Sequence, residues 1–313
     1  ARDEEQRQAY EDLMDESFHE DENAPLSTEA KFYQLNAQYT KYLCTAKPEK
    51  AHDAMTTAIE LLDREDPEKK RYLTKYISAL NNLYVIQKEL GLPDKALETL
   101  RKLRNVPVAS LTHKAEHFMR SYILELDLHI STANFSTAIK DIGVIEQDYQ
   151  NFKKYIDKSS RLAFFYNFSY LYFGAGRFDR ALIWNNLLLN DHDLSIREDI
   201  HCFGRILNLI IHYEIGNDDL LEYAVKSTYR FLYKRKRLFK VEGVILDFLK
   251  RYPNWVDRQQ ILSGFSDLHR KLLVFKNDDF EKYAFEYFDF ISWLESKIEK
   301  EEFEVVKKRN MNT

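Results

Sequence analysis

A short pattern that recurs five times along the chain constrains its fold most. In each copy a small residue follows a helix-like stretch, and a second small or apolar residue comes five positions later, after a turn-like stretch. The copies are Ala46/Ala51, Gly91/Ala96, Ala133/Ala138, Gly176/Ala181 and Gly216/Leu221, at steps of 45, 42, 43 and 40 residues. Glycine or alanine ends a helix at low steric cost, and a small residue in the next helix lets two antiparallel backbones approach closely. The pattern therefore predicts five helical hairpins.

Composition favours the same all-α fold. Glycine and proline supply 8 and 6 of the 313 residues, too few for many short strands joined by tight turns. Apolar residues at helical spacing flank the turns, as Leu80, Leu83 and Tyr84 do before Gly91. Because a single hairpin cannot bury both of its faces, we expect neighbouring hairpins to stack into an α-solenoid.

Two stretches, 80–103 and 165–189, resemble the tetratricopeptide (TPR) repeats. The second has Phe165, Phe168, Ser169, Tyr172, Gly176, Phe178 and Ala181 at positions that match the family pattern. The resemblance covers about residues 30–230 and is weaker in the units built on Ala46, Ala133 and Gly216. TPR units repeat every 34 residues, whereas this chain repeats every 40 to 45. The resemblance implies a TPR-like α-solenoid with longer helices or loops.

The resemblance also implies where a partner would bind. In TPR proteins the first helix of each hairpin lines a concave groove, and the matching positions here are mostly apolar or aromatic. They include Ile123, Tyr166, Tyr170, Phe173, Phe203, Ile206, Ile210 and Tyr213. An open groove of this kind is expected to take a peptide or helix of a protein partner. The alternative is that these side chains pack against each other or against the chain's own C-terminal helices.

Charge is concentrated in two segments. Residues 1–24 hold ten acidic and two basic side chains, whereas residues 226–240 hold seven basic and no acidic ones. The seven are Lys226, Arg230, Lys234, Arg235, Lys236, Arg237 and Lys240. Because aromatic residues alternate with these cations, nucleic-acid binding through 226–240 is an alternative function.

A further hypothesis links the two charged segments. The acidic residues would shield the cations at 234–237 from an acidic partner, provided that the two segments touch. These acidic residues are Asp3, Glu4, Glu5, Glu11, Asp12, Asp15 and Glu16.

The pattern loosens towards the C-terminus. The octapeptide NDDLLEYA at 217–224 returns as NDDFEKYA at 277–284. This predicts a further helical pair, preceded by one helix at about 240–251. We therefore divide the chain into an acidic arm at 1–28, about five TPR-like hairpins at 29–235 and C-terminal helices at 236–313. The last segment would complete the solenoid, with its charged end as a solvent-facing cap.

No motif supports catalysis or a cofactor. Arg205 and His212 resemble the Arg/His pair of an all-α ribonuclease family, which makes a ribonuclease a third alternative. Cys44 and Cys202 lie too far apart to form a CxxC ligand pair, and we expect no structural metal. No apolar segment is long enough for a membrane span, and the first residues lack the apolar stretch of a signal peptide. The sequence favours a cytoplasmic, non-catalytic scaffold or adaptor that binds a protein or peptide.

Overall fold

Every regular element that the structure describes is a helix. The computed structural model of the chain describes residues 27–65, 72–108, 110–278 and 280–311, and it contains no strand within these ranges. The all-α prediction is confirmed. Two compact units, Ala1–Glu125 and Leu126–Thr313, make up the chain, and the division falls inside one helix. The predicted segment boundaries at 28/29 and 235/236 stay predictions.

Five of the described helices begin in the first unit. They are α1 (Thr28–Cys44), α2 (Pro48–Glu65), α3 (Leu73–Glu89), α4 (Pro93–Arg104) and α5 (Leu111–Ser131), which ends in the second unit. Helix α1 packs on α2, α2 on α3, and α3 on α4. Ser27 fixes the start of α1, because its side chain accepts a hydrogen bond from the backbone N–H of Ala30 at 3.2 Å.

The described helices of the second unit continue from α6 to α15. They are α6 (Phe135–Phe152), α7 (Lys158–Gly174), α8 (Phe178–Leu189), α9 (Glu198–Glu214), α10 (Asp218–Lys234), α11 (Lys240–Arg251), α12 (Arg258–Phe275), α13 (Ala284–Tyr287), α14 (Phe290–Glu299) and α15 (Phe303–Met311). Short 3-10 turns occupy Tyr252–Asn254 and Glu281–Tyr283. From α6 to α12 each helix packs on the next, after which α14 packs on α12 and on α15. The helix predicted at about 240–251 is confirmed as α11.

The five recurring turns all adopt the backbone conformation that ends a helix. The values of φ are 53° at Ala46, 67° at Gly91, 50° at Ala133, 68° at Gly176 and 72° at Gly216. The following N–H bonds back into the last helical turn, as from Leu92 to the carbonyl of Gln87 at 2.9 Å. The residue five positions later is buried in every copy. The predicted order of helix, turn and helix is therefore present at all five places.

Helix α7 lies at the centre of the second unit. Residues 164–166 and 168–174 are all buried, as expected for a helix that is apolar on every side. Phe168 stacks on Trp184 of α8, with ring centroids 4.6 Å apart. At Gly174, the last residue of α7, an added Cβ would lie 2.4 Å from the ring of Phe135. Only glycine therefore allows α6 and α7 to approach this closely.

The charged C-terminal end, which we expected to face solvent, is partly buried and partly exposed. Phe303, Glu304, Val306 and Lys307 of α15 are buried. A carboxylate oxygen of Glu304 accepts a hydrogen bond from the backbone N–H of Ser136, at the start of α6, at 3.0 Å. Helix α15 thus packs into the second unit on one side, whereas residues 299–302 and Arg309 of the same charged end are exposed. That this end caps a solenoid stays a prediction.

The repeated octapeptide also folds differently in its second copy. The first copy leads into the 17-residue helix α10, whereas residues 281–287 form a 3-10 turn and the four-residue α13. The helix stops at Phe288, whose backbone is extended (φ −147°). Local sequence similarity therefore predicts a helix start here but not its length.

Candidate binding site

The structure buries most of the predicted groove. Five of its residues are buried and three are partly exposed. Tyr166, Tyr170, Phe173, Ile206 and Ile210 form the first group, and Ile123, Phe203 and Tyr213 form the second. Ile123 belongs to the first unit and the others belong to the second. Burial raises the question of what covers them.

The C-terminal segment of the same chain covers the groove residues of α7. Tyr166 donates a hydrogen bond from its hydroxyl to the backbone carbonyl of Tyr287 at 2.9 Å. The hydroxyl of Tyr170 accepts from the backbone N–H of Asp289 at 3.0 Å and from Nζ of Lys307 at 3.1 Å. Burial, followed by nearby negative groups, raises the pKa of both tyrosines. At these positions the structure has the packing that was the alternative to an open groove.

The partly exposed groove residues of α9 also contact this segment. The ring of Phe203 stacks on that of Tyr287, with centroids 4.1 Å apart and planes 8° apart. Tyr213 packs edge-on against Tyr252 and Trp293. These contacts account for Tyr213 as a packing residue, whereas Phe203 also borders a cavity.

The predicted basic residues lie mostly at the surface. Lys226, Arg230, Lys234, Lys236, Arg237 and Lys240 are exposed, and Arg235 is partly exposed. Glu198 forms ion pairs with Arg235 (3.5 Å) and Arg237 (3.1 Å). Lys226 pairs with Glu222 at 2.6 Å. The local charge is therefore smaller than the sequence of 226–240 alone suggests.

Aromatic rings and cations lie together on the exposed side of α10. Tyr223, Tyr229 and Tyr233 are exposed, and the rings of Tyr229 and Tyr233 are parallel within 8° at 6.1 Å. Arg230 and Lys234 follow them directly in the sequence and are exposed. Neither Arg230 nor Lys234 forms an ion pair with another described residue. We call this surface the α10 face, and it carries the rings and cations on which the nucleic-acid alternative rests.

Arg205 and His212 have separate structural surroundings. The guanidinium of Arg205 lies over the ring of Phe231, 3.9 Å from its centroid. His212 is buried, and its Nδ1 lies 3.4 Å from the side-chain nitrogen of Asn217 in the following turn. Burial lowers the pKa of His212, which favours the neutral imidazole. These contacts are typical of packing residues, and they add no support to the ribonuclease alternative.

A cavity of about 330 Å³ lies between α9, the start of α11 and residues 280–287. We call it the α11 cavity. Cys202, Glu242 and Glu281 belong to the buried part of its lining. Phe203 of the predicted groove and Arg237 of the predicted basic patch also line it. The structure thus brings together one residue from each of the two predicted surfaces.

Two glutamates meet at the first turn of α11. Glu281 accepts hydrogen bonds from the backbone N–H groups of Lys240 (3.1 Å) and Val241 (3.0 Å), which have no partner within the helix. Glu242 is the third residue of α11, a position where glutamate often caps a helix. It is 4% exposed, and its Oε2 has no hydrogen-bond partner among the described residues. Glu242 is therefore a buried carboxylate with a free oxygen in the lining of a cavity.

The carboxylates of the cavity differ in pKa. Burial raises the pKa of Glu242 to about 7, and the charge of Glu281 adds to this effect, although hydrogen bonds from the backbone N–H groups of Glu242 and Phe239 act in the opposite direction. Burial also acts to raise the pKa of Asp199, but hydrogen bonds from Arg197 (2.8 Å) and from the hydroxyl of Tyr287 (2.8 Å) outweigh it and lower that pKa. Asp199 is therefore ionised and paired, whereas Glu242 titrates near neutral pH.

Exposed aromatic side chains surround the buried part of the α11 cavity. Phe280 is 87% exposed, and Phe239 and Tyr283 are exposed as well. Phenylalanine in water is unfavourable, and several exposed rings beside one cavity are typical of a binding surface. We call these three residues the aromatic rim.

Sequence analysis missed Glu242, Glu281 and the aromatic rim. A glutamate at the third position of the predicted helix 240–251 is a recognisable capping pattern, but this pattern does not reveal a cavity. Glu281 lies within the repeated octapeptide, and its contact with Val241 joins residues 40 positions apart. No local pattern indicates that contact.

The remaining expectations concern the acidic arm, a metal site and a membrane span. The acidic arm with its proposed shielding residues lies outside the described residues. Within the described ranges, no group of three or more His, Cys, Asp or Glu side chains is arranged to hold a metal ion. None of the helices described has both the length and the apolar character needed to cross a membrane.

A comparison with protein-family models and one with curated proteins both find no match.

Proposed function

We propose that this chain is a non-catalytic TPR-like α-solenoid, expected in the cytoplasm, that binds a peptide segment of a protein partner. Its binding site would be the α11 cavity with its aromatic rim, because the concave positions carried over from TPR proteins are largely occupied by internal packing. The five hairpin turns with left-handed closing residues support the repeat interpretation.

One observation carries the binding proposal. The aromatic rim leaves large apolar rings in water directly beside a cavity of about 330 Å³, near the lower end of the range for ligand sites. A peptide would bury these rings and place one side chain in the cavity. Aromatic anchors of this kind supply much of the binding energy at protein interfaces.

Peptide selection on the full chain tests the proposal. Peptides would be selected from a random displayed library, and their affinities would be measured by fluorescence polarisation. We expect the Phe239→Ser/Phe280→Ser variant to lose at least about tenfold in affinity, or about 1.4 kcal/mol. A Tyr223→Ser/Tyr233→Ser variant, altered on the α10 face, is the matched control and should bind like the wild type. Failure to select any peptide, or equal losses in both variants, would contradict the proposal.

A second candidate function rests on the α10 face. Parallel exposed rings of Tyr229 and Tyr233 beside Arg230 and Lys234 are suited to stack on bases and contact phosphates of single-stranded nucleic acid. Polarisation of a labelled single-stranded RNA oligonucleotide tests this. Binding should weaken steeply as salt rises, and Tyr233→Ser should weaken it at every salt concentration. Salt-independent binding would exclude the α10 face as a phosphate-binding surface.

A further inference from the structure

One carboxylate oxygen of Glu242 has no hydrogen-bond donor in the described part of the chain. A buried ionised carboxylate is normally paired or fully hydrogen-bonded, because removing it from water is unfavourable. Glu242 is 4% exposed, yet its Oε2 lacks a hydrogen-bond donor within the described residues. Glu242 belongs to the lining of the α11 cavity, so a side-chain rotation that turns Oε2 towards the cavity would let a donor bound there reach it.

The neighbouring polar groups are already engaged with other residues. Glu281 accepts from the backbone of Lys240 and Val241, as described above. Asp199 is paired with Arg197, and Arg237 is paired with Glu198 at 3.1 Å. The guanidinium of Arg237 in the lining is therefore paired with Glu198 and not with Glu242.

The charge of the lining favours a cation. With Asp199 paired to Arg197 and Arg237 paired to Glu198, the carboxylates of Glu242 and Glu281 remain in the lining without a cationic partner among the described residues. The surplus is two negative charges when both of these carboxylates are ionised. A neutral or anionic ligand would leave this surplus uncompensated in a partly buried site, where charges are weakly screened.

The aromatic lining narrows the class of cation. The stacked rings of Phe203 and Tyr287 and the three rings of the rim can surround an alkyl chain and attract a positive charge to their faces. Glu242 offers a single free oxygen. A compact ammonium matches one acceptor, whereas a guanidinium is best matched by two parallel acceptors.

We propose that the α11 cavity binds the ammonium group of a lysine side chain, with Glu242 as its acceptor and the aromatic rim around its methylene groups. This inference rests on the proposed function, because the lysine would belong to the bound peptide. Glu242 would bind the ligand directly, and Glu281 would hold the start of α11 in place beside it.

The affinity should increase with pH as Glu242 ionises. The groups that line the cavity around it are Asp199 and Cys202 from α9, Arg237 before α11, and Glu281, Tyr283 and Tyr287 from the C-terminal segment. Burial raises the pKa of Cys202 and of Tyr287 to about 12, so both stay neutral. Asp199 is ionised because its pKa is lowered. The pKa of Glu242, at about 7, therefore sets the pH dependence near neutrality.

The direct test uses the full chain and lysine methylamide acetylated on its α-amino group, which keeps the side-chain ammonium free. Binding would be measured by saturation-transfer NMR titration at pH 8 and pH 6. We expect the norleucine counterpart, which lacks the ammonium, to bind at least about tenfold more weakly, and the arginine counterpart to bind more weakly than lysine. Affinity for the lysine probe should be several-fold higher at pH 8 than at pH 6.

Three variants complete the test. Glu242→Gln keeps the shape of the side chain and should lose at least about tenfold in affinity together with the pH dependence. Phe280→Ser alters an exposed residue, so it should fold normally and still weaken binding. Glu222→Gln on α10 is the matched control and should bind like the wild type. Equal binding of lysine and norleucine probes, or unchanged binding by Glu242→Gln, would overturn the inference, and tighter binding of the arginine probe would overturn the choice of lysine.

The two proposals fail in different ways. If selected peptides require the aromatic rim but contain no lysine, the peptide-binding function stands and the lysine inference is wrong. If no peptide is selected while the lysine probe binds in a manner that depends on Glu242, the cation site stands and the peptide-binding function is wrong.

Discussion

Replacing Glu242 with glutamine should change how the stability of the protein depends on pH. The pKa of Glu242 is about 7 in the folded chain, against an ordinary value of 4.5. Each unit of pKa shift corresponds to about 1.4 kcal/mol, so ionising Glu242 in the folded state lowers the free energy of unfolding by about 3 kcal/mol. The physical cause is the burial of the charge, which the hydrogen bonds from the backbone N–H groups of Glu242 and Phe239 offset only in part.

The sign follows from proton binding. Between pH 4.5 and 7 the folded chain holds the Glu242 proton more tightly than the unfolded chain does. The stabilising contribution of the protonated carboxyl is therefore fully present below about pH 4.5 and is lost as pH rises through about 7. Glutamine does not titrate. Relative to the wild type, Glu242→Gln should gain about 2–3 kcal/mol of stability between pH 5 and pH 8.5.

Urea unfolding at several pH values measures this difference. Helical circular dichroism would follow unfolding of the wild type, Glu242→Gln and the control Glu222→Gln. Glu222 is exposed, and its hydrogen bond with Lys226 lowers its pKa, so it stays ionised from pH 5 to pH 8.5. All other titratable groups are the same in wild type and Glu242→Gln, so their contributions cancel in that comparison. A difference between wild type and Glu242→Gln that is constant across this pH range would refute the reasoning.

Two further predictions concern packing, and thermal melts check both. Tyr170→Ser should destabilise the fold by about 3–5 kcal/mol, as for other buried aromatic residues, whereas Tyr223→Ser, at a site 73% exposed, should be nearly neutral. Similar melting temperatures for the two variants would contradict the burial of the predicted groove. Gly174→Ala should destabilise by about 1–3 kcal/mol because its Cβ would overlap Phe135. Gly143→Ala in α6 has nothing within 4 Å of the added Cβ and should be neutral or stabilising, so equal effects of the two alanines would contradict the close approach of α6 and α7.

The sequence predicted the hairpin turns because their causes are local. The left-handed conformation at a helix end costs least for glycine, and five such positions hold glycine or alanine, namely Ala46, Gly91, Ala133, Gly176 and Gly216. The buried residue five positions later follows from the geometry of the same turn. Elements defined by neighbouring residues could thus be located without any long-range information.

The groove and the cavity depend on contacts between distant parts of the chain. Tyr166 and Tyr287 are 121 residues apart, and no local pattern shows that the C-terminal segment covers α7. The predicted groove had the residue types of a binding surface, but the same types also form a core. Exposure of Phe280 and burial of Glu242 are likewise properties of the folded chain.

Two buried ionisable side chains of the second unit show how structural and ligand-binding roles can be separated. Lys307 is buried, and burial lowers its pKa, although Asp289 at 3.7 Å opposes that shift. Its Nζ donates a hydrogen bond to the hydroxyl of Tyr170 at 3.1 Å. Its charge has partners, so holding α15 in place explains it. Glu242 is as deeply buried, and Glu281 accepts from the backbone N–H groups of Lys240 and Val241 beside it. Hydrogen bonds from the backbone N–H groups of Glu242 and Phe239 give this carboxylate a structural role at the start of α11. They leave Oε2 without a partner, and a cation in the cavity would supply one.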